Sequence, residues 1–191
     1  MQIGILARTG QVCVAASRVY VQRSIADIFI EQYKTRMKAA TERIGDPQDK
    51  STAIGPLADQ ASFEKVQAMI NRGKTEAELV VGGVRYTETG CFIEPTVFLN
   101  PQPRAKVLTD EIFGPVAVVN TFDTEEEVIR LANDTEFGLM AGVFTKDITR
   151  ALRVSAKVDA GVVGINCVSY VSGFFSHAPA SLAAVHLQPR T

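Results

Sequence analysis

An α/β fold, with a mixed or parallel sheet flanked by helices, is the architecture this sequence predicts, and three observations carry it. From residue 117 onward, short apolar runs alternate with segments of helical period: AVVNTF, TEEEVIRLAN, AGVFT, DITRALRVSAKV and GVVGIN follow one another. The runs are nearly continuous in apolar residues, as in strands covered on both faces. With 191 residues, 46% of them hydrophobic, the chain can bury a substantial core as one unit.

The earlier elements follow from local pattern. RVYVQRS reads as a short strand, and SIADIFIEQYKTRMKAATE then changes to a helical period that puts Ile25, Ile28, Phe29, Tyr33 and Met37 near one face. Ser24 and Asp27 have the spacing of a capping box. GDPQDKSTAIGP is a turn-rich loop, and Phe63, Val66 and Ile70 give the next helix its apolar stripe. ELVVGG is a short apolar run closed by Gly82 and Gly83. YTETGCFIEPTVFLN reads as a hairpin or edge strands, because Pro95 cannot donate a ladder hydrogen bond. Thr124 and Glu127 form a second capping box before VIRLAN. The tail SYVSGFFSHAPASLAAVHLQPRT breaks the rhythm and reads as a packed terminal arm or a disordered extension.

Lys and Arg total 20 against 21 Asp and Glu, a formal charge of -1, so no broad field draws the chain to nucleic acid or an anionic membrane. Three cysteines, Cys13, Cys91 and Cys167, fit a reducing compartment and have no metal-ligand spacing. MQIGILARTG lacks the pattern of a signal peptide, and no run approaches 18 uninterrupted apolar residues. The expectation is a soluble, cytoplasmic protein that binds no metal.

RTGQVCVAAS sets Cys13 behind a Gly-Gln step, and EIFGPV follows about a hundred residues later. A free cysteine is often only a small buried hydrophobe, so spacing alone leaves Cys13 open between nucleophile and packing residue. GQVC, RVYVQ, IGPL, GCFIEPTV and EIFGPV together resemble, in order and spacing from about Gly10 to Asn166, the catalytic domain of the NAD(P)-dependent aldehyde dehydrogenases. The resemblance implies a catalytic-domain unit over residues 1–166 and a divergent C-terminal extension over 167–191. It carries the role of nucleophile to Cys13, whose thiolate would add to an aldehyde before hydride transfer and hydrolysis. The Cys13 backbone N–H would supply an oxyanion contact if a helix began near VAAS. The resemblance also gives Glu111 a hold on the nicotinamide ribose and Phe113 a place beside the nicotinamide ring. The alternative makes Glu111 a cap and Phe113 core filling beneath Gly114 and Pro115.

Departures from the family pattern shape the functional expectation. No Rossmann-type glycine turn, general-base glutamate or oxyanion asparagine precedes Cys13 in these residues, and Leu6 and Arg8 stand where the family has phenylalanine and asparagine. VSYVSGFFSHAP replaces the usual glycine-rich segment after INC, and the family's C-terminal oligomerising strand is not recognisable. The expectation is a cofactor-independent enzyme, of isomerase, cyclase or condensation type, acting on a small aldehyde or related electrophile through Cys13 or its pocket. The alternatives are an NAD(P)-dependent aldehyde dehydrogenase portion that needs a further domain, and a non-catalytic subunit-binding protein. A homodimer or a related subunit is the expected partner, with Phe174 and Phe175 as candidate cover for exposed apolar surface. His177 and His186 are candidate bases for Cys13, with packing as the alternative, while Cys91 and Cys167 read as structural.

Overall fold

The computed structural model describes residues 4–168 and the backbone of residues 2–3 and 182–186. A short helix α1 (Gln2–Leu6) runs into a tight turn, Ala7–Gly10. Then come β1 (Arg18–Gln22), α2 (Arg23–Thr41), α3 (Gln60–Glu76), β2 (Glu78–Val81), β3 (Thr96–Leu99), α4 (Lys106–Thr109), β4 (Val116–Phe122), α5 (Glu125–Asn133), β5 (Met140–Phe144), α6 (Ile148–Ser155), β6 (Val162–Ile165) and β7 (Leu182–His186). The seven strands form one sheet in the order β2-β3-β4-β1-β7-β5-β6. The pairs β1/β4, β3/β4 and β5/β6 are parallel, whereas β2/β3, β1/β7 and β5/β7 are antiparallel. The fold is therefore α/β with a mixed sheet.

Strand alternation sorts the core into layers. Val19, Val21, Val97, Leu99, Ala117 and Val119 face the α1 and α2 side, where they meet Ile5, Tyr33 and Met37. Phe98, Val116 and Val118 face α3 and α4 and pack with Phe63, Val66, Ile70 and Val107. Farther along, Tyr20, Phe122, Ala141 and Val143 meet Val128 of α5 and Val154 of α6. Successive residues of β4 thus serve opposite layers, which is why its sequence is a continuous apolar run.

The helix starts show where local pattern and tertiary context part. Asp59 and Asp147 cap α3 and α6 by accepting the amides of Ser62 and Arg150, and Thr124 caps α5 by accepting that of Glu127. Glu127 reaches back to the amide of Asp123 at 2.8 Å, one residue before the cap residue that a capping box would have it serve. Ser24 is not a cap. Strand β1 enters α2 without a loop, so the cap position falls on Gln22, which makes no side-chain cap bond, and Ser24 already lies in the first turn.

Pro95 likewise misled the strand assignment. Residues 84–94 do make a hairpin-like excursion, with Arg85 bridged to Ile93. Yet Thr96–Leu99 is an interior strand between β2 and β4, with Thr96, Val97 and Phe98 fully buried. Pro95 sits just outside the ladder, and the first interior donor is the Thr96 amide, bonded to the Pro115 carbonyl at 2.8 Å. Its missing N–H therefore costs the sheet nothing.

Glu76 at the end of α3 ties that helix to α4. Its carboxylate pairs with Arg72 Nε at 2.6 Å and accepts the Lys106 amide at 2.6 Å and the Val107 amide at 3.4 Å. Burial alone would raise its pKa, but the Arg72 bond and the two amides outweigh it and hold the carboxyl below its ordinary value of 4.5. A depressed folded-state pKa stabilises above the ordinary value and ceases to do so as pH falls through the folded one. E76Q is expected to lose about 1.5 kcal/mol at pH 7, and the gap to wild type should close in acid, read from denaturant midpoints across pH 3–7.

Candidate functional site

The turn that carries Cys13 is built from strained backbone. Arg8, Thr9 and Gly10 have φ of 50°, 60° and 73°, three successive left-handed residues, one of them β-branched. Side-chain anchors hold this conformation. Buried Thr9 donates its hydroxyl to the Gly55 carbonyl at 3.0 Å. Gln11 donates Nε2 to the Pro56 carbonyl at 3.3 Å, while its Oε1 accepts the Ala58 amide at 2.8 Å. The GQVC turn is thereby tied to the IGPL loop.

The opposite wall of the turn is the EIFGPV loop. A Cβ placed on Gly10 would lie 2.1 Å from the Gly114 carbonyl oxygen and 2.9 Å from the Pro115 nitrogen, so the two backbones touch. Gly114 is in turn pressed against α3, where an added Cβ would stand 2.8 Å from both methyl groups of Val66. Neither contact admits a side chain. The remaining matched segments join the same assembly: the Leu57 amide bonds the Cys91 carbonyl at 2.8 Å, Thr96 bonds Pro115, and β1 runs beside β4. Five motifs spread over the sequence are one contiguous structure.

Cys13 is half-buried in a turn closed by the Ala15 amide on the Val12 carbonyl at 2.9 Å. No helix begins at VAAS, so the expected helical oxyanion contact does not arise there. The chain must instead extend into β1: Ala16 donates to the Gly4 carbonyl and Ser17 accepts from Val118.

Glu111 and Phe113 each lie within three residues of the Gly10–Gly114 contact, and neither has the role of the structural alternative. Glu111 is half-buried, and its carboxylate has no hydrogen-bond or ion-pair partner among the described residues. Phe113 is 41% exposed at a φ of 60°, so it is displayed on the surface and does not fill the core. Beside Glu111 is a cleft of about 20 Å³, room for about one water molecule, lined also by Ser17, Arg18, Ile112 and Phe137.

Arg18 is a residue that sequence reading passed over. It is 6% exposed, and Nη2 donates to the Tyr20 hydroxyl and to the Leu131 and Ala132 carbonyls at 2.9–3.1 Å. Gln11 was also given no role, although its place inside GQVC was the available signal. Cys167 packs closely over β6, its Sγ standing 2.7 Å from where a Cβ on Gly164 would be. Cys91 lies on the 84–94 excursion with its thiol 3.8 Å from Gln60 Oε1. His186 falls in β7, and His177, Phe174 and Phe175 lie outside the described residues. Among the described residues no three His, Cys, Asp or Glu side chains gather to hold a metal ion, and no helix is long and apolar enough to cross a membrane.

The Gly10–Gly114 contact is directly testable. G10A should force the two loops apart and destabilise by at least about 2 kcal/mol, the sum of left-handed strain and overpacking. Thiol labelling of Cys13 in the folded protein should change at the same time, whereas G161A, placed where an added Cβ meets only the Leu139 and Gly138 carbonyls at 3.4 Å and beyond, should leave labelling as in wild type.

Comparison with known proteins matches this arrangement. The model of the aldehyde dehydrogenase family covers residues 1–175. A betaine aldehyde dehydrogenase of Sinorhizobium fredii is 46% identical over 168 residues, 86% of this chain and 34% of that protein. The rat protein aldehyde dehydrogenase, cytosolic 1, is 42% identical over 165 residues, 86% of this chain and 32% of its own. An NAD+ complex of an aldehyde dehydrogenase from Bacillus cereus superposes with a TM-score of 0.84 at 38% identity, covering 87% of this chain and 34% of that one. The chain thus spans about one third of the length of the relatives it matches. With its matched segments in one assembly and the family model covering most of its length, the chain belongs to the aldehyde dehydrogenase family.

Proposed function

We propose that Cys13 captures a small aldehyde as a covalent thiohemiacetal, the opening step of NAD(P)-linked aldehyde oxidation. One observation carries this reading: the Gly10–Gly114 contact joins the thiol turn to a loop whose Glu111 carboxylate is unpaired and whose Phe113 ring is displayed. Groups left unspent in folding are available for a ligand. The names of the relatives support the substrate class, and the Bacillus cereus complex supports the cofactor class.

The chemistry of the donor set fits. Once the Cys13 thiol has lost its proton, its sulfur adds to the carbonyl carbon, the C–S bond forms as the C=O π pair moves to oxygen, and that oxygen takes up a proton. Glu111 has free acceptor oxygens for the ribose hydroxyls of NAD(P), and Phe113 an open face for a planar ring. When bound, the cofactor supplies the hydride acceptor. Gln11 and Thr9 keep the thiol turn in place by spending their side chains on backbone groups of residues 55–58.

A second reading keeps Cys13 as nucleophile and dispenses with NAD(P), giving an isomerase, cyclase or condensation catalyst. The small size of the cleft beside Glu111 favours it.

Exposure to an α,β-unsaturated aldehyde, borohydride reduction and peptide mapping test the shared step. Adduct at Cys13 is expected to exceed that at Cys91 and Cys167 by at least about tenfold and to vanish in C13A. Equal labelling of all three thiols in folded protein would sink the proposal. Aldehyde-dependent NADH formation, weakened in E111Q, supports the first reading, and aldehyde consumption without NADH supports the second.

A further inference from the structure

Arg18 opens β1, and among the described residues it is the only charged side chain that is buried, at 6% exposed. Its Nη2 is committed three times, to the Tyr20 hydroxyl at 2.9 Å and to the Leu131 and Ala132 carbonyls at 2.9 and 3.1 Å. No carboxylate of the described residues forms an ion pair with it. Its Nε is buried too, and has no hydrogen-bond partner among those residues. A guanidinium is planar, so bonds at one corner also fix the direction of the Nε–H. A buried donor without a partner is unfavourable, and native proteins satisfy nearly all such groups, ordered water included.

The cleft beside Glu111 meets this need. Arg18 and Glu111 line it together with Ser17 and Asp110, and apolar side chains such as Val107 and Phe137 close the rest. Strand pairing sets the two charges side by side. The Ser17 carbonyl accepts the Val118 amide at 2.8 Å where β1 runs parallel to β4, so the 110–115 loop that leads into β4 arrives beside the start of β1. At about 20 Å³ the cleft takes one water-sized group. Its chemistry narrows the occupant further. Arg18 disfavours a cation there, and the Asp110 and Glu111 carboxylates disfavour an anion. The occupant has to accept from the Nε–H and donate to a carboxylate, which a water molecule does.

We propose that Arg18 Nε and the Glu111 carboxylate share one water molecule held in this cleft, and that Arg18 is thereby the positioning residue of Glu111. The Nε–H donates to the water oxygen, and the water donates to Glu111. Asp110 offers a second acceptor, with an oxygen beyond the Oδ1 that Lys106 and Thr109 engage. The chain of bonds runs from the Leu131 and Ala132 carbonyls through Arg18 and the water to Glu111, so the carboxylate is held from behind while an oxygen is left for a ribose hydroxyl. That use of the oxygen rests on the NAD(P) reading given above, whereas the water link does not.

Nuclear magnetic resonance on the full chain tests the link without a cofactor. The Arg18 Nε–H signal, traced from the Arg18 backbone amide, is expected to show a cross-relaxation peak to water with the sign of a long-lived contact. E111A should lose that peak, while E126A, at an exposed glutamate away from the cleft, should keep it. No peak in the unmodified chain overturns the proposal, as does a peak that E111A leaves unchanged. Positioning is read from chemical denaturation of R18K, E111A and the double variant. The unfolding constant of the double variant should depart from the product of the single effects by at least about threefold. Purely multiplicative effects would reduce Arg18 to a support for Leu131 and Ala132 and overturn the positioning role. Should R18K fail to fold, the peak comparison decides. NAD+ titration separates the two readings: a chain that shows the peak and its loss in E111A but binds no NAD+ refutes the cofactor role of Glu111 and still supports the link.

Discussion

The close contact between the backbones at Gly10 and Gly114 is the constraint on which the site depends. It brings together two loops separated by about a hundred residues, and it is possible only because Gly10 carries no side chain, while the bare Gly114 leaves room for Val66 behind it. Helix α3 presses on Gly114 from behind through Val66, and the Pro115 carbonyl receives the first amide of β3. The thiol turn is therefore braced on the core of the sheet and on a helix, even though Cys13 itself lies in a loop.

Bracing permits strain. Left-handed backbone at Arg8, Thr9 and Phe113 is costly for residues with a Cβ, and it persists only where surroundings determine it more strongly than local preference does. At Thr9 and Gln11 the surroundings are specific: among the described residues, their side chains bond only backbone groups of residues 8 and 55–58. Phe113 differs, since its unusual conformation displays the ring at the surface. The turn before Cys13 is thus tied to the 55–58 loop, while the Phe113 ring is open to solvent.

Polar side chains elsewhere tie distant elements together. Arg18 donates through Nη2 to a phenol and two carbonyls, Glu76 joins an arginine and two amides, and Glu125 pairs with Arg150 and Arg153 nearer the surface. The Glu111 carboxylate is half-buried and has no hydrogen-bond or ion-pair partner among the described residues.

Much of this was legible in the sequence. The alternating elements from residue 117, the Thr124 cap, the apolar stripe of α3 and the order of the five motifs are local patterns, and period, turn chemistry and capping express themselves within a few residues. Cys13, Glu111 and Phe113 could be named because each sits inside a motif. Their juxtaposition could not be read, since it depends on two glycines that touch only after β1 has paired with β4. Pro95 before an interior strand, Gln22 as the start of α2 and the antiparallel β7 between parallel neighbours were hidden for the same reason. A strand's place in a sheet and a helix's point of entry are settled by which distant backbone groups find partners, and a linear sequence does not state those pairings.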